Sequence, residues 1–353
     1  MVRRRLDDFN PQGLSITAWA FAKAGISALD IFEAISAEAL RQGLGGFKEQ
    51  ELSNTTWAFA TAGISALDLF EAISAEALRK GLGGFNPQGL SNTAWAFATA
   101  GISALDLFEA ISAEALRRGL GGFNPQNLSN TAWAFATAGI SALDLFEVIS
   151  AEALRRGLGG FNPQDLSNTA WAFAVTNPSS ANKLFGTMSF TTRCAQLQAS
   201  FSLSSLSQLH QWSLWREERR SRWPGLPASL RQACHNAFVE TEGVPSKLQS
   251  DVVQEIRARR ANVREEHRCE KSGYNIDAVV TLNDGEQVAV EVDGPCHFLG
   301  RSHQPTGATL LKHRQLRYFE WRLEIVLYRE WEDDTEAAMR KLHWLPQSSS
   351  GPP

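Results

Sequence analysis

The apolar residues of the first half of the chain recur in a block rather than along a single helical face. Trp19, Trp57, Trp95, Trp133 and Trp171 stand 38 residues apart, each within a run such as Leu90-Ser91-Asn92-Thr93-Ala94-Trp95-Ala96-Phe97-Ala98. Residues 85–122 and 123–160 differ only at Gly89/Asn127 and Ala110/Val148. Self-similarity at such a period marks a solenoid, in which each unit buries its apolar face only by stacking on its neighbours. Each unit reads as two helices. The first opens at Asn86-Pro87, an N-cap followed by proline at the first helical position, and stops at Gly101, which suits a left-handed C-terminal cap. The second is expected to open at Ser103, to bury Leu105, Phe108, Ile111 and Ala115, and to end at Arg117-Arg118 before Gly119.

Stacked hairpins turn equivalent positions into ladders. Asn54, Ala58 and Thr61 are expected to share one face of a first helix, repeated as Asn92/Thr99 and Asn130/Thr137 and continued by Asn168. Amides at regular intervals suit one-base-per-repeat contact with single-stranded RNA, or else they bond the neighbouring repeat. The tryptophans, at helical spacing beside Phe97, are expected in the core. Charge narrows the choice. Residues 1–176 hold 12 Lys+Arg against 17 Asp+Glu, so phosphate contacts in the repeats supply little affinity. Residues 9–176 resemble octotricopeptide repeats through the period of 38 and the pattern Pro-Gln-x-Leu-x-Asn-x-x-Trp-Ala. The resemblance implies binding of organellar RNA. Glu49 departs from the pattern's proline, and the fifth unit breaks off after Ala174.

From Asn177 to Ser207 the periodicity stops and Ser, Thr and Gln dominate, which predicts a linker over 177–207. A helical region is expected over 208–245. Two basic clusters follow, Arg216, Arg219, Arg220 and Arg222 beside Trp223, then Arg257, Arg259, Arg260 and Arg264. Basic residues among aromatics bind single-stranded nucleic acid by charge and stacking, or form a solvated helix face paired with Glu217 and Glu218. Arg257, Arg259 and Arg260 are the RNA-contact candidates of this half.

Tyr274–Val280 and Gln287–Asp293 are β-rich runs joined around Asn283-Asp284-Gly285. A two-residue loop pairs Asp277 with Val292, whereas a three-residue loop with Gly285 left-handed pairs Asp277 with Glu291. Only the second brings two carboxylates together. A helix from Thr306-Gly307 through Leu316 and a strand over Leu323–Leu327 complete a β-β-α-β order and predict a mixed sheet. Carboxylates at adjacent strand ends, with His297 and Lys312 nearby, fit magnesium-assisted hydrolysis of a phosphodiester.

Residues 246–345, with a core at 274–331, resemble the RAP domain through Val290-Glu291-Val292-Asp293-Gly294-Pro295-Cys296-His297-Phe298, Thr306-Gly307-Ala308-Thr309-Leu310-Leu311-Lys312, and Trp321 with Tyr328-Arg329-Glu330-Trp331. That domain is similar to the PD-(D/E)xK nuclease fold, so the resemblance implies a restriction-endonuclease-like mixed sheet. It further implies Asp277 and Glu291 as metal ligands, Asp293 and His297 as neighbours, and Lys312 as a displaced cation. Asp293 stands where the common nuclease pattern has lysine, which puts cleavage in doubt. The fold expected is thus an α-helical solenoid followed by an α/β domain and a disordered tail at 346–353.

Three functions follow from this reading. The first is an RNA-binding protein of mitochondrion or chloroplast, acting in RNA processing, stability or translation, with no cofactor required. The second is an endoribonuclease using Mg²⁺ through Asp277 and Glu291, and the third a scaffold for protein partners. Cys194, Cys234, Cys269 and Cys296 are far apart and read as reduced thiols of a non-secretory compartment. No run is long and apolar enough to span a membrane, and Met1–Arg5 is too short for a signal peptide. No clear transit peptide precedes Phe9. The formal charge of -4 hides a split of -5 over residues 1–176 and +1 over 177–353, so phosphate contacts are expected in the second half.

Overall fold

The computed structural model describes residues 6–240, 245–259, 262–300 and 302–344. The N-terminal half alternates first helices α1 (Pro11–Lys23), α3 (Glu49–Thr61), α5 (Pro87–Thr99), α7 (Pro125–Thr137) and α9 (Pro163–Thr176) with second helices α2 (Leu29–Gln42), α4 (Leu67–Lys80), α6 (Leu105–Arg118) and α8 (Leu143–Arg156). Asn10, Asn86, Asn124 and Asn162 cap α1, α5, α7 and α9 with their side chains, each followed by Pro at the start of the helix. At the other end Gly101 takes φ 65 and Ile102 N–H reaches back 3.0 Å to Phe97 O, a Schellman termination that only a residue free of Cβ strain closes cheaply. The first helices stack closely side by side, and the second helices form another layer.

The second helix differs from expectation at its start. α6 begins at Leu105 with no side-chain cap, so Ser103 does not open it, and Leu107 rather than Leu105 joins Phe108, Ile111 and Ala115 in the core. Leu105 is 48% exposed. The aromatic core is a phenylalanine zipper. Phe32–Phe59, Phe70–Phe97, Phe108–Phe135 and Phe146–Phe173 meet edge to face at centroid distances of 5.0, 5.0, 5.0 and 5.1 Å. Each pair joins the second helix of one unit to the first helix of the next.

A basic latch doubles this seam. The Arg118 guanidinium donates to Leu82 O at 2.8 Å, to Gly83 O at 2.7 Å and to Phe85 O in the turn of the preceding unit. Lys80 does the same to Gly45 O and Phe47 O, Arg156 to Gly121 O, and Arg193 to Phe161 O. Glu114 holds Arg118 in place, and Glu152 holds Arg156. Burial alone would raise their carboxyls, but hydrogen bonds first from Arg117 and Arg155, then from Arg118 and Arg156, hold both down at about 2.

Residues 177–207 are not a linker. They form α10 (Ala181–Phe185), α11 (Met188–Gln196) and the start of α12 (Leu203–Glu218), which runs beside α9. Leu184, Phe185, Phe190 and Cys194 are buried in the same core as the repeats, with Phe185 against Phe173, Trp212 and Trp223. The Ser, Thr and Gln residues of this stretch sit between those anchors, which is why the composition misleads. After α13 (Ala228–Val239) and α14 (Lys247–Ala258) come β1 (Asn262–Arg268), β2 (Asn275–Thr281), β3 (Gln287–Asp293), α15 (Gly307–Tyr318), β4 (Arg322–Leu327), α16 (Tyr328–Asp333) and α17 (Thr335–Lys341).

The sheet order is β1-β2-β3-β4, antiparallel except for the parallel β3/β4 pair that α15 bridges. One face packs Ala278, Val280, Val290 and Val292 on Val252, Val253 and Ile256 of α14. The other packs Ile276, Val279 and Ala289 on Leu214 of α12 and Leu316 of α15. The sheet is thereby tied to the repeats. Arg314 donates to Val175 O at 2.9 Å, to Ala174 O and to Glu218 Oε1 at 2.7 Å. Gln304 Nε2 donates to Ala138 O at 2.9 Å, and a Cβ added at Gly307 would stand 1.9 Å from Ala136 O. No helix among the described residues is long and apolar enough to cross a membrane.

Candidate nucleic-acid interface

The first helices leave one stripe of each unit open. On α5 the residues that are not buried include Gln88, Asn92, Trp95 and Thr99, and on α7 they include Gln126, Asn130, Trp133 and Thr137. The steps of four, three and four residues place the members of each set on one helical face. Gln50, Asn54, Trp57 and Thr61 repeat the pattern on α3. Two expectations change. Ala58 is fully buried, and Trp57, Trp95 and Trp133 are only partly buried, packing against the core that Phe59, Phe97 and Phe135 fill while leaving part of each ring in the open stripe. Trp19 is 42% exposed, whereas Trp171 is 6% exposed and lies 6.3 Å from Trp133 by ring centroid.

The neighbouring repeats do not hold the Asn row. Among the described residues Asn54, Asn92 and Asn130 make no side-chain hydrogen bond to any other unit; the bridges between units use other residues. Asn127 Nδ2 donates to Ser91 Oγ at 3.1 Å, and Ser129 Oγ donates to Asp165 Oδ1 at 2.9 Å. Asn168 does not extend the open row, because it is 6% exposed where α12 and α15 close over α9. The acidic charge lies elsewhere. Of the acidic residues of the repeats, all but Asp7, Asp8, Glu49, Glu51 and Asp165 belong to α2, α4, α6 and α8, and Asp165 is buried. The stripe on α5 and α7 carries no charged side chain.

Part of the two basic clusters is spent on the fold, while Arg220, Arg222 and Arg264 stay exposed. Arg216 Nε donates to Trp223 O at 2.7 Å, and Arg219 lies over the Trp215 and Trp223 rings at 5.4 and 5.2 Å. Arg259, whose side chain is 7% exposed, pairs with Glu255 and with Glu336 at 2.9 Å, so it is withdrawn from phosphate contact. Arg257 lies 3.4 Å from Glu265 and keeps half its side chain in solvent. Arg260 falls outside the described residues, as does the tail at 346–353.

In the C-terminal domain the hairpin takes the three-residue loop. Leu282 N–H bonds Glu286 O at 2.8 Å, Gly285 has φ 87, and the register Ala278↔Val290 sets Asp277 across from Glu291. Glu291 is fully buried, and Lys312 from α15 brings Nζ to 2.5 Å from its Oε2. The approach lies off the hydrogen-bonding directions, so both Glu291 oxygens lack a well-aligned donor. Burial pushes the Glu291 carboxyl up to about 8 despite that cation. Burial also raises Asp277, whose Oδ2 accepts Val292 N–H at 2.7 Å. Asp293 goes the other way. Burial would raise it, but His297 Nδ1 at 2.7 Å and His313 Nε2 at 3.4 Å from Oδ1 bring it down to about 2.

These residues rim a cleft of about 570 Å³, lined by Asp277, His297 and Lys312 together with Gln249, Glu266 and Arg268. The last three are absent from the sequence reading. Glu266 stands at φ 53 in β1 and accepts hydrogen bonds from Gln249 and Asn275. β1 escapes a pattern search because Arg264, Glu265, Glu266, His267 and Arg268 are polar on both faces. His313, adjacent to Lys312, is the signal that α15 points more than one polar side chain at the sheet.

The Lys312 ammonium already lies against Glu291, one Asp277 oxygen is held by a backbone amide, and among the described residues no group of three His, Cys, Asp or Glu is arranged to hold a metal.

A helical-repeat solenoid that leaves an amide and aromatic stripe open is joined here to a small α/β domain. Comparison with known proteins sharpens this. Residues 290–343 match the RAP domain model, so the chain carries a RAP domain behind its helical repeats. The chain is 36% identical over 73 residues to a "RAP domain-containing protein, chloroplastic" of Oryza sativa subsp. japonica. That segment is 21% of this chain and 11% of the rice protein, so the chain spans a small part of its relative's length.

Proposed function

We propose that the protein binds single-stranded RNA in an organelle, a mitochondrion or a chloroplast, and acts in the processing, stability or translation of transcripts. The repeats read the RNA and the RAP domain makes a second contact. The observation that carries this reading is the stripe of unengaged Asn amides beside half-open Trp rings, repeated on α3, α5 and α7. Unpaired amides beside partly exposed aromatic rings are the groups that recognise unpaired bases. The RAP cleft, lined by Arg268, Lys312 and His297 among others, is where we place the second contact. The chloroplast relative supports an organellar setting.

In this reading the cleft is a contact surface that requires no metal, with the Lys312 ammonium lying against Glu291. Incubating RNA with Mg²⁺ and comparing wild type with Glu291→Ala checks this: cleavage lost in the variant alone overturns it. Crosslinking and sequencing of bound RNA in cells tests the wider proposal. It predicts enrichment of organellar transcripts, and recovery of proteins without RNA would favour a scaffold instead.

A further inference from the structure

The ladder residues do more than suit RNA in general, because they are the same in each unit. Gln, Asn, Trp and Thr occupy the four stripe positions of α3, α5 and α7 without exception, as 50, 54, 57, 61, then 88, 92, 95, 99, then 126, 130, 133, 137. The units are related by a repeated stacking step, so each presents its neighbour's set of donors, acceptors and ring faces in the same orientation. A row of identical sites cannot prefer different bases at successive positions. On α1 the Asn position is Ile16 and the Thr position is Lys23, and on α9 Asn168 is covered, so the uniform row has ends.

We infer that the stripe takes a tract of one repeated nucleotide in single-stranded RNA. This inference rests on the RNA-binding reading above and deepens it. Each base edge meets the Asn amide of one unit, and each base face meets the adjoining Trp ring. The phosphates lie away from the protein along the stripe, since α5 and α7 offer them no cation there. Two properties follow. Binding favours a homopolymer over mixed sequence, and its affinity falls only shallowly with salt, because counterion release scales with the number of neutralised phosphates.

The test uses the full chain and ten-nucleotide RNAs of A, C, G or U alone, with a mixed sequence of equal length, titrated at several salt concentrations. One homopolymer is expected to bind at least about tenfold tighter than the mixed RNA, because each amide contact to a base edge discriminates against the wrong base. The paired change Asn92→Ala with Asn130→Ala removes amides that hold nothing in the fold. It is expected to abolish the preference while leaving thermal stability unchanged. Equal binding of all five RNAs overturns the tract and leaves RNA binding standing. Absence of binding to every RNA, with or without capture of a protein, overturns both.

Discussion

Replacing Arg314 with alanine probes how the C-terminal domain is held on the repeats. The guanidinium satisfies Val175 O and Ala174 O in the last turn of α9 and pairs with Glu218 of α12, so one side chain joins three helices. Removing it strands two helix-end carbonyls and leaves Glu218, whose side chain is 15% exposed and whose Oε2 already lacks a donor, without its cation. A charged hydrogen bond contributes ~1.5–3 kcal/mol when buried. Arg314 is 29% exposed, and water re-solvates part of what is lost. The net cost is therefore about 3 kcal/mol. Urea denaturation followed by tryptophan fluorescence and far-ultraviolet circular dichroism reads it. The variant is expected to lose about that much stability, with the C-terminal domain separating from the repeats as an earlier transition. A loss below about 0.5 kcal/mol, with an unchanged single transition, would refute the idea that this contact fastens the two halves.

Three further outcomes follow from the same geometry. Gly307→Ala places a methyl 1.9 Å from Ala136 O, backbone against backbone, so the interface must shift; greater protease sensitivity between α14 and α15 is expected, and wild-type resistance would contradict the docking. Burial lowers His210, whose Nε2 lies 2.8 Å from Ser272 O, from 6.5 to about 4. The unfolded chain then takes up a proton first, so stability present above pH 6.5 is lost as the pH falls toward 4, by roughly 3 kcal/mol. An imidazole resonance that titrates near 6.5 in the folded protein would sink this. The lowered Glu114 and Glu152 carboxyls contribute stability above about pH 4.5 that disappears as the pH falls through 2. Glu114→Gln with Glu152→Gln is accordingly expected to lower the midpoint of thermal unfolding at pH 7 and to matter little at pH 2, and equal effects at both would contradict the latch.

Much of this architecture was legible in the residues. Asn-Pro caps, Gly101 and the period of 38 are local signals, and local chemistry decides where these helices begin and end. The hairpin reduced to two registers because a strand slip of one residue changes the face of every side chain, and Gly285 selects between them. What escaped is what depends on neighbours. Whether Trp95 or Phe97 fills the core is set by which face of α5 meets the adjoining units, and the small Ala94, Ala96 and Ala98 beside them do not distinguish the two. Arg259 looked like a phosphate ligand until Glu255 and Glu336, the latter far away in sequence, were seen to enclose it. The pairing of Lys312 with Glu291 likewise needed the α15 crossover to bring helix and strand together.

The central claim is that RNA lies on the first-helix stripe. Ultraviolet crosslinking of the full chain to single-stranded RNA, with the attached peptides identified by mass spectrometry, addresses it directly. Adducts are expected at Trp57, Trp95 and Trp133 in α3, α5 and α7. Adducts confined to α2, α4, α6 and α8, or none in the repeats at all, would contradict it.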